Sequence, residues 1–81
     1  DEELKDGNYI RAIRYYEKAA QKADYLHQPY AGLAKANFFL GRTNQAIEAI
    51  RKAIENAHKG QMVSIYQAKY DYIKSKATSH N

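Results

Sequence analysis

Apolar side chains recur every three or four residues along most of the chain, which is the spacing of one face of an α-helix. In the first such stretch these positions are Tyr9, Ala12, Ile13, Tyr16, Ala19, Ala20 and Ala23. In a later stretch they are Ala46, Ile47, Ile50, Ala53, Ile54 and Ala57. Charged and amide side chains occupy the opposite sides, so both stretches are predicted to be amphipathic helices.

Turn signals divide the chain into four helical stretches. Residues 6–8, Asp-Gly-Asn, predict a turn before the first helix, and Gly41 predicts the turn between the second and third. Pro29 fits the first turn of the second helix, because its missing N–H would have no partner there. The last helix is predicted over 61–77, followed by a polar tail over 78–81 that should fray.

The helical pattern repeats at a spacing of 34 residues. Segments 7–26 and 41–60 share six identical residues in 20 aligned positions. The identities pair Gly7 with Gly41, Ala12 with Ala46, Ile13 with Ile47, Lys18 with Lys52, Ala19 with Ala53 and Ala23 with Ala57. A fixed period of this length is typical of stacked helical hairpins, each of which buries its apolar face against a neighbour.

Residues 7–19 resemble the second-helix half of a tetratricopeptide repeat, and residues 30–54 resemble a whole one. The resemblance rests on an early aromatic, a leucine beside a small residue, a glycine turn, and two small residues flanking a bulky one. In the second segment these are Tyr30, Leu33, Ala34, Gly41, Ala46, Ile50 and Ala53. The family's proline after the second helix is absent, and Asn37 and Asp71 stand at a phase where the family buries an aromatic.

This resemblance implies an all-α fold of antiparallel helical hairpins stacked as a short right-handed superhelix, a fragment of an α-solenoid. The whole chain, 1–81, would form one domain. A partial first repeat would occupy 1–26, mainly as its second helix, and a complete repeat would occupy 27–60. The helix over 61–77 would then cap the stack, and the first helices of the repeats would line its concave side.

The resemblance also implies a groove that binds a peptide or helix of a protein partner. By the family's phase, the residues facing this groove are Gln28, Ala31, Lys35, Phe38, Met62, Ile65, Lys69 and Tyr72. The two lysines favour a partner that carries acidic as well as apolar groups. The alternative interpretation places Phe38, Ile65 and Tyr72 in the core and leaves both lysines solvated.

A second hypothetical surface lies on the first helix. The stripe of Tyr9, Ile13 and Tyr16 is expected to be partly uncovered, because nearly all of the helix that would precede it in a complete repeat is missing. An exposed apolar patch at the end of a stack predicts self-association or contact with a further repeat. This leaves an oligomerisation module of a larger assembly as an alternative function.

The charge and hydropathy of the chain bear on two further functions, nucleic-acid binding and membrane insertion. The 81 residues carry 13 basic and 9 acidic side chains, a net charge of +4. Arg11, Arg14, Lys18 and Lys22 form a basic stripe that raises RNA binding as another alternative, although Glu17 interrupts it. Nucleic acid is therefore the less favoured partner. No apolar run approaches the roughly 18 residues of a membrane span, so no membrane insertion is predicted.

Nothing in the sequence indicates catalysis or a cofactor. The chain has no cysteine, which removes a disulfide framework, a thiolate zinc site and a cysteine nucleophile. The three histidines, His27, His58 and His80, lack the helical spacing of a metal-ligand set. We therefore expect neither a catalytic residue nor a metal site, and the chain is predicted not to be an enzyme.

Overall fold

Four α-helices follow one another in a computed structural model of the protein. The structure describes residues 2–57 and 61–78, with side chains for 7–57 and 62–77. The helices are α1 (Glu2–Lys22), α2 (Gln28–Phe39), α3 (Thr43–Ala57) and α4 (Gln61–Thr78). No strand occurs within the described ranges. The predicted all-α fold is confirmed, while positions 79–81 of the predicted tail lie outside the described residues.

The first helix is longer than the pattern predicted. Residues 6–8 are helical and continue α1 from Glu2, so the turn predicted there is wrong. Glycine within a helix costs about 1 kcal/mol relative to alanine, and the Glu-Glu-Leu-Lys segment before it consists of good helix formers. Gly7 therefore lies inside a helix, whereas Gly41, its partner in the repeat, lies in a turn.

The turn after α2 is closed by two backbone hydrogen bonds. Gly41 has a φ of +79°, a conformation that glycine adopts without steric cost. Its N–H donates to the Phe38 carbonyl at 3.0 Å, and the N–H of Arg42 donates to the Asn37 carbonyl at 2.8 Å. This is the Schellman pattern that satisfies the last carbonyls of a helix. It reverses the chain, and α3 begins at once.

Consecutive helices pack against one another in order, α1 on α2, α2 on α3, and α3 on α4. Short connections join the helices, so neighbours run antiparallel, and α2 and α4 lie on the same side of α3 in parallel. The buried core consists of Ile13, Leu33, Ala34, Ala36, Ala46, Ala49, Ile50, Ala53, Tyr66 and Ile73. Half of these ten are alanines, which allows the helix axes to approach closely.

The loop between α1 and α2 is held by α3. The side-chain amide of Asn56 donates from Nδ2 to the carbonyls of Asp24, at 2.7 Å, and Leu26, at 2.9 Å. Pro29 is buried in the first turn of α2, as the sequence predicted. The start of α2 is thereby positioned against the rest of the stack.

Candidate functional site

A groove lies between α2 and α4, above the buried side chain of Ile50 from α3, and encloses about 400 Å³. We call it the α2–α4 groove. Its surface is mostly apolar, with Ala31 and Ala34 from α2 and Ala68 from α4. Lys35 and Lys69 are the charged side chains of the lining, and none of the carboxylates that the structure describes belongs to it. The groove therefore combines an apolar surface with positive charge.

Helical spacing explains why these side chains meet. Ala31, Lys35 and Phe38 are four and three residues apart, so they share one face of α2. Lys69 and Tyr72 are three apart on α4 and face the same space. Because α2 and α4 both pack on α3, the two faces lie side by side instead of against each other.

Five of the eight residues predicted to face a groove line this one. They are Ala31, Lys35, Phe38, Lys69 and Tyr72. The other three, Gln28, Met62 and Ile65, are exposed near the N-terminal ends of α2 and α4 and do not belong to the lining. The alternative interpretation fits in part, because Phe38 packs half-buried against the core and both lysines are exposed. It does not fit Ile65 and Tyr72, because 43% and 54% of their surfaces are exposed.

A hydrogen bond joins the two helices at the end that the groove does not reach. The Tyr66 hydroxyl of α4 and Nδ1 of His27, which directly precedes α2, lie 2.7 Å apart. The Tyr66 side chain is 3% exposed, and this burial raises the pKa of its hydroxyl above the usual 10.0. Further along, Phe38 and Tyr72 meet edge to face with ring centroids 5.7 Å apart.

Sequence reasoning missed Phe39 as a site residue. Phe39 lines the groove with 54% of its surface exposed, and its ring stacks on Tyr9 of α1 with centroids 5.4 Å apart. Phe38 and Phe39 also make an edge contact, with centroids 5.7 Å apart. Adjacent helical residues point about 100° apart, so two neighbouring phenylalanines cannot both face the core. The adjacent pair Phe38-Phe39 could therefore have indicated an exposed aromatic residue from the sequence alone.

The stripe of Tyr9, Ile13 and Tyr16 packs against α2 and is partly covered by it. Ile13 is buried, and Tyr9 and Tyr16 are half-buried against the core. The Tyr16 ring lies so close to Gly32 that a Cβ added there would come within 2.4 Å of it. The half-burial of Tyr9 and Tyr16 is compatible with the expected partly uncovered stripe, whereas Ile13 is buried. Self-association through these residues stays a prediction.

Two polar residues that depart from the family pattern have different surroundings. Asn37 is buried, and its Nδ2 donates to the Leu33 carbonyl at 2.9 Å, one turn back along α2. The hydrogen bond compensates for taking the amide out of water. Asp71 is exposed and accepts a hydrogen bond from Nε2 of Gln67 at 3.2 Å. The corresponding positions of α2 and α4 are thus not equivalent.

The basic residues outside the groove lie in several places. Arg11, Arg14, Lys18 and Lys22 are all exposed on α1. Arg51 pairs with Glu48 at 3.5 Å and lies against Tyr70 of α4. Hydrogen bonding from Arg51, and secondarily from Lys74, lowers the pKa of the Tyr70 hydroxyl. Neither Lys35 nor Lys69 has an ion-pair partner within 4.0 Å among the described side chains.

The tetratricopeptide repeat family model matches residues 27–57. The chain contains a tetratricopeptide repeat. The match covers α2, the Gly41 turn and α3, and it confirms the resemblance and the helical-repeat fold. Tetratricopeptide repeats are interaction modules and are typically not enzymes, so this chain carries a general module for binding proteins. No curated protein and no solved structure shows a significant match.

The family match does not cover 1–26 or 61–77. The assignment of 1–26 to a partial repeat and of 61–77 to a capping helix therefore stays a prediction.

Among the described residues, no helix is long and apolar enough to cross a membrane. Within those same residues, no group of three or more histidine, aspartate or glutamate side chains could hold a metal ion.

Proposed function

We propose that the α2–α4 groove binds a peptide or helix of a protein partner that carries acidic and apolar groups. The observation that carries this proposal is the lining itself. It is apolar apart from Lys35 and Lys69, and no carboxylate among the described side chains 7–57 and 62–77 lies there to neutralise them. A partner carboxylate would meet two positive charges that have no ion pair with the side chains that the structure describes.

The contribution of the two lysines to the binding free energy depends on how exposed their side chains are. Both lysines are exposed, so each ion pair with a partner would contribute about 0.2–1 kcal/mol and would weaken with salt. Apolar contact with the alanines and with Phe38 would supply most of the remaining affinity. Rim charges of this kind act more on the association rate and on the choice of partner than on affinity.

The experiment uses short fluorescein-labelled peptides of defined composition, because they isolate the two properties of the groove. One peptide combines glutamate with leucine, a second replaces glutamate by lysine, and a third replaces leucine by serine. Binding is measured by fluorescence anisotropy at low and moderate salt. We expect the glutamate–leucine peptide to bind most tightly and to weaken as salt is added.

Reversing the charges of Lys35 and Lys69 then tests whether the peptide binds in the α2–α4 groove. The double variant Lys35→Glu/Lys69→Glu should weaken the glutamate–leucine peptide by about tenfold. The double variant Lys18→Glu/Lys22→Glu on α1 makes the same change in net charge and should alter affinity less than twofold, as a matched control. Equal losses in both variants would show that net charge and not the groove is responsible.

The same variants test the alternatives. A labelled oligouridine that binds at low salt and is released by the α1 double variant would support RNA binding instead. Unchanged affinity of the glutamate–leucine peptide after reversal of Lys35 and Lys69 would refute the groove as its site.

A further inference from the structure

We infer that the α2–α4 groove selects partner segments in which an aromatic side chain lies next to the acidic groups. The selecting surface is a row of four rings, Tyr9, Phe39, Phe38 and Tyr72, which we call the aromatic row. This inference rests on the proposed function, because it specifies the partner of the same groove.

The aromatic row crosses three helices without interruption. Tyr9 of α1 stacks on Phe39 with an interplanar angle of 12° and centroids 5.4 Å apart. Phe39 meets Phe38 at 5.7 Å, and Phe38 meets Tyr72 of α4 at 5.7 Å, both in edge-to-face arrangements. Each ring therefore contacts the next one, although the rings come from different parts of the sequence.

Two rings of the row are poorly covered by the protein itself. Phe39 and Tyr72 each leave 54% of their surface exposed, and both line the groove. A single exposed aromatic side chain is common on protein surfaces and needs no explanation. Two exposed rings joined through Phe38 form a contiguous apolar surface that an apolar side chain of a partner could cover. The space beside them can take a further ring at an edge or in an offset stack.

Positive charge surrounds the same surface. Lys35 and Lys69 line the groove together with three members of the row. Nζ of Lys76 lies 5.3 Å from the centroid of the Tyr72 ring. A segment whose aromatic side chain packs on Phe39 or Tyr72 would bring its neighbouring carboxylates close to Lys35 and Lys69.

The charge pattern argues against a second copy of this chain as the occupant. In a symmetric dimer built on this face, each surface patch meets its own copy. Lys35 and Lys69 of one copy would then approach the same lysines of the other, and such like-charge contacts oppose association. An acidic partner has no such cost, so we commit to an acidic aromatic segment.

The test compares two peptides of equal charge. Both carry the same glutamates, and one has phenylalanine where the other has alanine. We expect the phenylalanine peptide to bind the protein about three- to tenfold more tightly, which is the advantage of an aromatic contact. No preference for phenylalanine, with binding of both peptides still sensitive to reversal of Lys35 and Lys69, would overturn this inference and leave the proposed function standing. Absence of binding by either peptide would overturn both.

Substitution of Phe39 tests whether the aromatic row causes the preference for the phenylalanine peptide. Phe39→Ala should lower the affinity of the phenylalanine peptide to that of the alanine peptide and leave the alanine peptide unaffected. Tyr15→Ala removes a ring of α1 that is 69% exposed and does not line the groove, so it should change neither affinity. Thermal unfolding followed by circular dichroism verifies that both variants remain folded.

Two results would overturn the assignment to Phe39. Equal weakening of both peptides by Phe39→Ala would indicate a structural role for the ring. A concentration-dependent dimer in sedimentation that Phe39→Ala abolishes would identify a second copy as the occupant.

Discussion

The two sides of α2, a helix rich in small residues, pack against their neighbours to different extents. Towards α1, the Tyr16 ring lies directly on Gly32 and Ala36 is buried, and the space left beside them is about 180 Å³. Towards α4, Ala68 is exposed and Tyr72 is more than half exposed, so a groove remains. Both sides contain aromatic and small residues. Whether a ring fills a gap therefore depends on what lies opposite it.

The physical difference is the distance between helices. Gly32 has no side chain, and α1 packs directly on α2, so the Tyr16 ring can rest on the backbone. On the other side, α2 and α4 are both packed on α3, and α3 holds them apart. Phe38 and Tyr72 meet only edge to face across that gap, which leaves space beside them.

The difference between the two sides of α2 can be tested by replacing an alanine with leucine on each side. Ala36→Leu should destabilise the protein by about 1–3 kcal/mol, because Ala36 is buried and the space on its side of α2 is the smaller of the two. Ala68→Leu lies in the open groove and should change the free energy of unfolding by less than about 0.5 kcal/mol. Urea unfolding followed by circular dichroism gives both values.

Each substitution serves as the other's control, because alanine and leucine have similar helix propensities. Ala68→Leu should also weaken binding of the glutamate–leucine peptide by partly filling the groove. Equal destabilisation by the two substitutions would show that the two sides of α2 do not differ.

The contact between Gly32 and Tyr16 can be isolated by a double-mutant cycle. In the native chain, Gly32→Ala should be destabilising, because the new methyl group displaces the ring. In a Tyr16→Ala background, the same change should be stabilising by up to about 1 kcal/mol through helix propensity. The two effects should differ by roughly 1–2 kcal/mol in denaturant unfolding. The same effect in both backgrounds would mean that the ring and the glycine are not coupled.

A smaller effect is expected at the closed end of the space between α2 and α4. Tyr66→Phe removes the hydrogen bond to His27 and should lower the free energy of unfolding by about 1 kcal/mol at neutral pH. Burial raises the folded-state pKa of Tyr66 above 10.0, so the folded chain keeps this proton longer than the unfolded chain does. The contribution of Tyr66 to stability is therefore complete below about pH 10 and is lost as the pH rises through the folded pKa.

Urea unfolding of the native chain and of Tyr66→Phe, at neutral pH and above pH 10, measures this dependence. The difference in stability between the two proteins should shrink at the higher pH. A difference that grows with pH would contradict a raised pKa at Tyr66.

The candidate site was only partly predictable. Helical phase placed Lys35 and Lys69 on a common surface, because residues of one stripe share a face. It could not exclude Met62 and Ile65, since phase fixes a direction around the helix axis and not where along two helices the space between them opens. Phe39 was missed for a related reason, as its ring is placed by contact with Tyr9 of another helix.

The sequence by itself determined the helices, the Gly41 turn and the repeat, because periodicity, glycine conformation and proline placement act over a few neighbouring residues. The turn predicted at 6–8 was wrong, because glycine is compatible with either a turn or a helix and the surrounding residues determine which one forms. Which rings became buried and which remained exposed was decided only by tertiary structure. That outcome depends on the distance between helices, and this distance is set by the small side chains of whichever helix packs opposite.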